Sequence, residues 1–278
     1  MKNREVVKSL DREVGKQATM CTSKPDPADF RKRLAAGDRL SGTFIKTPTG
    51  HSVEIFGDVG YDFVVIDEEH APFDRQAIDT AIMASRAGHI AALVRVASAS
   101  HANLLSVLDC GATGVLVPHV ASVEKARDVV AGCRYKGGKR GFSNSPRAGR
   151  YGGLGLAEHI EAGDRITTVV AQIEDPEALD VIDAIAAVEG IDCLFVGRGD
   201  LAVAMGAHSM EAPEVKAATE RVCKAAKKAG KPVMVFVGTK ADAEAMWRLG
   251  ATSFIVASDQ GLMRRAAVAA LGEIASIA

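Results

Sequence analysis

Eight short apolar runs punctuate the chain, at 42–46, 62–67, 91–96, 114–118, 167–173, 192–197, 232–237 and 253–257. Most are near-continuous in Val, Ile, Leu or Phe, the look of parallel strands buried on both faces. Between them the apolar spacing changes to three and four, bracketed by helix start and stop signals. The segment 74–87 opens on Asp74, repeats Ile78, Ile82 and Met83, and stops at Gly88. The segment 122–135 opens on Ser122 and stacks Val123, Ala126 and Val130. Pro213 occupies a position tolerated in a first turn, ahead of Val215, Ala218, Val222 and Ala225, and Gly230 closes that helix. Thr239, with Asp242 after it, begins another that ends at Gly250.

The spacing of the runs tests the pattern. From Val65 to Val94 is 29 residues and from Val235 to Ile255 is 20, lengths that fit strand–helix–strand crossovers. Two longer intervals, Leu116 to Val170 and Phe195 to Val235, predict insertions after the fourth and sixth strands. Eight units with no linker predict an α/β protein built as one (β/α)8 TIM barrel. A doubly wound open sheet is the alternative, but no GxGxxG follows the first strand. Residues 1–29 read as a loosely attached arm and 30–278 as the barrel. The arm mixes Lys and Arg with Glu and Asp and holds no apolar run long enough for a signal peptide or membrane span.

Composition narrows the function. The 278 residues are 47% hydrophobic and 25% charged, which excludes disorder and a disulfide-stapled scaffold. Lys and Arg number 34 against 35 Asp and Glu, a net charge of −1, and aromatics make up 5%. A nucleic-acid partner is therefore not expected, and neither is a membrane. The five cysteines are odd in number and none has CxxC spacing, so a reduced, cytoplasmic setting is expected, with most of them as small core residues.

A barrel of this kind carries its chemistry where the strands end. The second strand ends in Asp67-Glu68-Glu69-His70, which suits a histidine base oriented by a carboxylate. Glu174 and Asp200 follow the fifth and sixth strands, close enough to share a divalent ion or simply to cap two helices. Arg95 ends an apolar third strand, as an ion-pair partner or as a donor to a substrate oxyanion. His119 follows the fourth strand, and Lys46 the first. The basic, glycine-rich stretch 136–150 is either an anion-binding loop or a solvated one.

These runs resemble the metal-dependent pyruvate aldolases of the HpcH/HpaI aldolase and citrate lyase family, over roughly residues 30–271. The resemblance is carried by Gly60-Tyr-Asp-Phe-Val-Val-Ile-Asp-Glu-Glu-His-Ala-Pro72, Leu93-Val-Arg95, Leu116-Val-Pro118, Val170-Ala-Gln-Ile-Glu174 and 190–201, in order and in register. It implies a barrel of the phosphoenolpyruvate/pyruvate type that reversibly cleaves a 4-hydroxy-2-oxoacid to pyruvate and an aldehyde through a metal-stabilised enolate. His70 is then the base, acting through water and assisted by Asp67, and Arg95 stabilises the enolate. Glu174 and Asp200 hold Mg2+ or Mn2+, with Co2+ as a further candidate. Gln172 contacts pyruvate, backbone N–H groups near Gly199 hold its carboxylate, and Phe44 lines the pocket. The partners implied are a small 2-oxoacid and further copies of the chain, as a hexamer or trimer of dimers that exchange the last helix.

The chain departs from the family pattern at Glu68, at Arg198 and at His119, which bears on the aldehyde partner and the type of reaction. Two same-barrel alternatives are a citryl- or malyl-CoA-type lyase, for which 136–150 is the candidate groove, and an oxaloacetate-type decarboxylase. A Schiff-base aldolase lacks a lysine after the sixth strand. A non-catalytic barrel would leave the acids, His70 and Arg95 without a role.

Overall fold

The computed structural model describes residues 24–277. Most of the expected arm, residues 1–23, therefore lies outside the described residues. Asp26 caps a short 3-10 turn, Pro27–Asp29, and Lys24 Nζ donates to the Gly57 carbonyl at 2.6 Å.

Eight parallel strands close into a barrel in chain order. They are β1 Leu40–Ile45, β2 Phe63–Asp67, β3 Ala91–Arg95, β4 Gly114–Val117, β5 Thr168–Ile173, β6 Cys193–Val196, β7 Val233–Val237 and β8 Ala251–Ser258. β1 pairs with β8 to complete the ring. The expected helix starts are present: Asp74, Ser122 and Thr239 each accept a backbone N–H from the first turn they cap. The apolar rows of these helices pack onto the outer faces of the strands and form the larger core.

A smaller core fills the barrel itself. Phe44, Phe63, Val65, Ala91, Leu93, Leu116, Val170, Cys193, Phe195, Met234 and Ile255 meet there. Helix Phe30–Ala35 closes the amino-terminal end, with Phe30 and Leu34 buried and the Phe30 ring 5.2 Å from Phe63. Gly42 leaves space for that plug, since a Cβ there would lie 2.4 Å from the Phe63 ring. Cys110, Cys133, Cys193 and Cys223 are all free and buried, as expected of small core residues.

Strand side chains alternate, so the inward phase of the core fixes what points into the mouth. Phe63 and Val65 are inward in β2, which brings Asp67 into phase. Ala91 and Leu93 do the same for Arg95, Val170 for Gln172 and Glu174, and Leu40 and Phe44 for Lys46.

The insertion between β4 and β5 lies at the opposite end from the mouth. It follows helix Val123–Cys133, which has already returned the chain to the start of the strands. Arg134 donates to the Thr167 carbonyl, just before β5. Arg140 lies 3.5 Å from Asp109, and Arg147 donates to Asp79 and to the Cys110 carbonyl. The stretch 136–150 is thus no anion-binding loop of the mouth. Two of its arginines, Arg140 and Arg147, are consumed by ion pairs.

Candidate active site

Asp67 is fully buried and sits at the centre of a charge cluster. Arg95 Nε and Nη2 donate to its two oxygens at 2.8 and 2.7 Å, a bidentate fork. Lys46 Nζ approaches Oδ2 at 2.8 Å. Burial alone would raise the Asp67 carboxyl, but Arg95 and Lys46 together hold it below its usual value. Arg95 lies 3.3 Å from Glu69 Oε2, and its guanidinium stacks 4.6 Å from the centre of the Phe44 ring. Its Nη1 has no hydrogen-bond partner among the described residues.

The His70 imidazole is exposed beside this cluster. Its Nε2 is 3.7 Å from Glu69 Oε2, whereas Asp67 meets only the His70 backbone N–H, at 3.2 Å. The carboxylate beside the ring is therefore Glu69, and the expected assistance of His70 by Asp67 is not a ring contact. Asp67 is occupied in fixing Arg95. Glu68 faces away from the mouth and accepts from Ala97 N–H and Asn103 Nδ2, tying the second strand's loop to the third's.

A second cluster lies on the β4–β5 side. Glu174 is buried and accepts the His119 N–H at 2.8 Å and a short hydrogen bond from Gln172 Nε2. Burial pushes the Glu174 carboxyl up to about 7; the Gln172 and His119 contacts oppose that rise and the Asp200 charge adds to it. His119 adopts a left-handed backbone, φ 55°, and its Nδ1 lies 3.4 Å from Glu174 and 3.0 Å from Asp175. Its Nε2 is 4.0 Å from Glu69 Oε1. Burial would lower this imidazole, but Asp175, Glu174 and Glu69 raise it.

Glu69, His119 and Glu174 bring one donor atom each within 4.8 Å of one another. Oxygen and imidazole donors at that spacing fit a divalent ion with open positions. The buried Gln172 Oε1, which has no partner, leaves an acceptor beside them. Gly197 makes the close packing possible, since a Cβ there would lie 2.7 Å from Glu174 Cβ. Asp200, expected as the second ligand, is exposed in the first turn of helix Arg198–Ala204 and lies outside the trio, although Glu174 feels its charge. Gly199 is exposed in the same turn. His119 was the weaker signal in the sequence, and Glu69 stood undistinguished among the acids of its run. Both occupy loop positions just past a strand, where neither alternation nor helical spacing marks a side chain.

Arg198, one of the departures from the resembled pattern, is buried and forks onto Asp242 at 2.8 and 2.7 Å while donating to the Phe236 carbonyl. It ties the turn after β6 to the helix after β7 and does not enter the mouth.

A closed parallel barrel with acids, imidazoles and an arginine gathered at the carboxyl ends of its strands has the architecture of a (β/α)8 enzyme, with its candidate site at the rim where such barrels carry their chemistry. Residues 40–266 match the model of one family, HpcH/HpaI aldolase/citrate lyase, and the chain belongs to that family. It is 36% identical over 243 residues to a 5-keto-4-deoxy-D-glucarate aldolase of Shigella boydii, a match covering 86% of this chain and 93% of that protein. Among solved structures, an HpcH/HpaI aldolase/citrate lyase family protein from Burkholderia cenocepacia superposes with a TM-score of 0.85 at 29% identity, over 90% of this chain and all of the other. Citrate synthase SbnG superposes with a TM-score of 0.80 at 30% identity, over 88% and 96% of the two chains.

Proposed function

We propose that this chain is a divalent-metal-dependent pyruvate aldolase, cleaving a 4-hydroxy-2-oxoacid to pyruvate and an aldehyde. The observation that carries the reading is Arg95. It is buried, forked onto Asp67, and lies 3.3 Å from Glu69, a member of the Glu69–His119–Glu174 trio. In the cleavage the C3–C4 bond breaks, the C4 hydroxyl loses its proton, and the electron pair passes to the three-carbon fragment. A fixed cation beside the developing enolate oxygen lowers the barrier. His70, exposed and flanked by Glu69, takes the hydroxyl proton through a water molecule. Gln172 Nε2, through the N–H not given to Glu174, donates to the 2-oxoacid beside Glu174.

Glu174 is the ligand common to the sequence-derived pair with Asp200 and to the geometric trio with Glu69 and His119. A divalent ion held there, Mg2+, Mn2+ or Co2+, supplies Lewis-acid charge to the keto oxygen when bound. Assay of pyruvate release from 4-hydroxy-2-oxoacids of graded length tests the reading. EDTA should abolish release and Mn2+ or Mg2+ restore it. Full activity after exhaustive chelation, or borohydride trapping of a pyruvate adduct, refutes it.

The last helix supports assembly from several copies. Of Asp259–Ala275 only Asp259 is buried, while Met263, Val268, Leu271 and Ile274 are 61–70% exposed. A row of that kind belongs against a second copy of this chain. Among the described residues no helix is long and apolar enough to cross a membrane. The free cysteines and the cytoplasmic setting expected from them are part of the same proposal.

A further inference from the structure

The turn after β4 sets an imidazole among carboxylates. His119 has φ 55°, a left-handed conformation that costs energy in a residue with a Cβ and persists where its surroundings fix it. That backbone aims the His119 N–H at Glu174 Oε1, 2.8 Å away. Gly or Asn would take the same turn as readily and make the same contact. The turn therefore accounts for the backbone of His119 and leaves its ring unexplained.

The ring is oriented by a carboxylate of its own. Asp175 reaches Nδ1 with both oxygens, at 3.0 and 3.2 Å. A carboxylate there keeps the proton on Nδ1 and leaves Nε2 with its lone pair, 4.0 Å from Glu69 Oε1. Metal-ligating imidazoles are held in this way, one nitrogen tied to a carboxylate and the other kept as the donor.

Charge and burial point the same way. Among the described residues, Asp67, Glu69, Glu174 and Asp175 outnumber the cations paired with them, Arg95 and Lys46, and Asp200 adds its charge to that of Glu174. Gln172, 1% exposed, gives Nε2 to Glu174 and keeps Oε1 without a partner beside the same cluster. A dication among the donor atoms of Glu69, His119 and Glu174 answers the surplus of acid and gives the ring a purpose.

We propose that His119 Nε2 is a nitrogen ligand of the divalent ion held by Glu174, with Asp175 as the group that orients it. This rests on the metal-dependent reading above for the presence of the ion and adds a ligand to it. The ligand has a consequence for the class of ion. Oxygen donors and water suit Mg2+, whereas imidazole suits first-row transition ions such as Ni2+ and Zn2+. His119 therefore raises the affinity for Ni2+ relative to Mg2+, by about tenfold or more.

Pulsed electron paramagnetic resonance on the Mn2+-loaded protein reads the ligand without turnover. The wild type should show modulation from a directly bound imidazole nitrogen, and histidine labelled with nitrogen-15 should change it, with no substitution needed. His119→Asn, which suits the left-handed turn, should lose the modulation, and His70→Asn, at the neighbouring imidazole, should keep it. Competition titrations should show the Ni2+ to Mg2+ affinity ratio falling by about tenfold or more in His119→Asn, and by less in Asp175→Asn, where the ring is present but no longer oriented. Modulation absent from the wild type, or retained in His119→Asn, overturns the proposal, as does an unchanged affinity ratio; His119 is then a counter-ion of the acids around it. The outcomes separate this from the aldolase reading. Modulation lost with His119 in a protein that releases no pyruvate upholds the ligand while the aldolase reading fails. Pyruvate release restored by Mn2+ with no nitrogen modulation keeps the aldolase reading and overturns the ligand.

Discussion

Replacing Asp67 by Ala removes the carboxylate that both Arg95 and Lys46 face. Breaking a buried pair by deleting one partner costs about 3–5 kcal/mol, because the other charge stays behind in a dry site. Two features soften the loss here. Glu69 remains 3.3 Å from Arg95 Nε, and Lys46 is partly exposed and can turn toward water. A destabilisation of about 2–4 kcal/mol is therefore expected. For a domain of this size each kcal/mol moves the melting temperature by roughly 2–4 °C, so the midpoint should drop by about 5–15 °C. Calorimetric melts of the wild type, Asp67→Ala, Arg95→Ala and the double variant give the coupling directly. The double variant should be more stable than the sum of the singles predicts, by at least about 1.5 kcal/mol. Turnover should collapse in every variant, since Arg95 loses either its fork or itself. The melting difference should be constant between pH 8 and 5. Arg95 and Lys46 hold the Asp67 carboxyl below its usual value, so its contribution is lost only as pH falls below the ordinary carboxylate range. A folded Asp67→Ala protein that melts within about 2 °C of the wild type, yet is inactive, would refute the reasoning. Asp67 would then act on the chemistry of His70 and not as the anchor of Arg95.

His70→Ala should cut turnover by about 10²–10⁴-fold, the range for loss of a general base, with an unchanged melt; near-normal turnover removes His70 from the mechanism. Metal affinity should weaken by at least tenfold per pH unit below about 7, because protons then occupy Glu174 and the raised His119 imidazole, and Mn2+ titrations from pH 5.5 to 8 that stay flat exclude both as ligands. The same raised carboxyl works against the metal-free fold as pH rises from the ordinary carboxylate range through 7, so thermal stabilisation by metal should grow over that interval. Light scattering should give a multiple of the 29.1 kDa chain mass, and Leu271→Glu with Ile274→Glu should dissociate it; a wild-type monomer refutes the role given to the last helix.

The strands were legible because both of their faces are apolar. Each run from 62–67 onward falls within a few residues of an observed strand. Asp67, Arg95 and Glu174 were legible for the same reason, since a charge in phase with buried Val and Leu has to end a strand facing the mouth. Helix Gly50–Val59 escaped notice because His51, Ser52, Glu54 and Asp58 dilute its apolar face and only Val53 and Gly57 are buried. The stretch 136–150 stayed open between two readings because its basic residues are visible in sequence while the partners of Arg147 and Arg140, Asp79 and Asp109, lie far back in the chain. Which acid stands beside the His70 ring was also hidden. That depends on loop geometry after β2, where Asp67 is drawn inward by Arg95 and Glu69 is left nearer the imidazole.

The contact of Asp259 with the backbone of Lys46 and Thr47 bears on the order in which the molecule is made. The first strand emerges early in synthesis, but its neighbour on one side is the last strand, and its rim end is held by the residue that begins the last helix. A nascent chain that has reached β7 has an open sheet with bare edges at β1 and β7, the kind of edge that pairs with whatever strand it meets. It also has no anchor for Lys46. Ring closure, shielding of those edges and completion of the mouth thus arrive in a single late event, so a chain cut short before Asp259 forfeits the binding rim together with the helix.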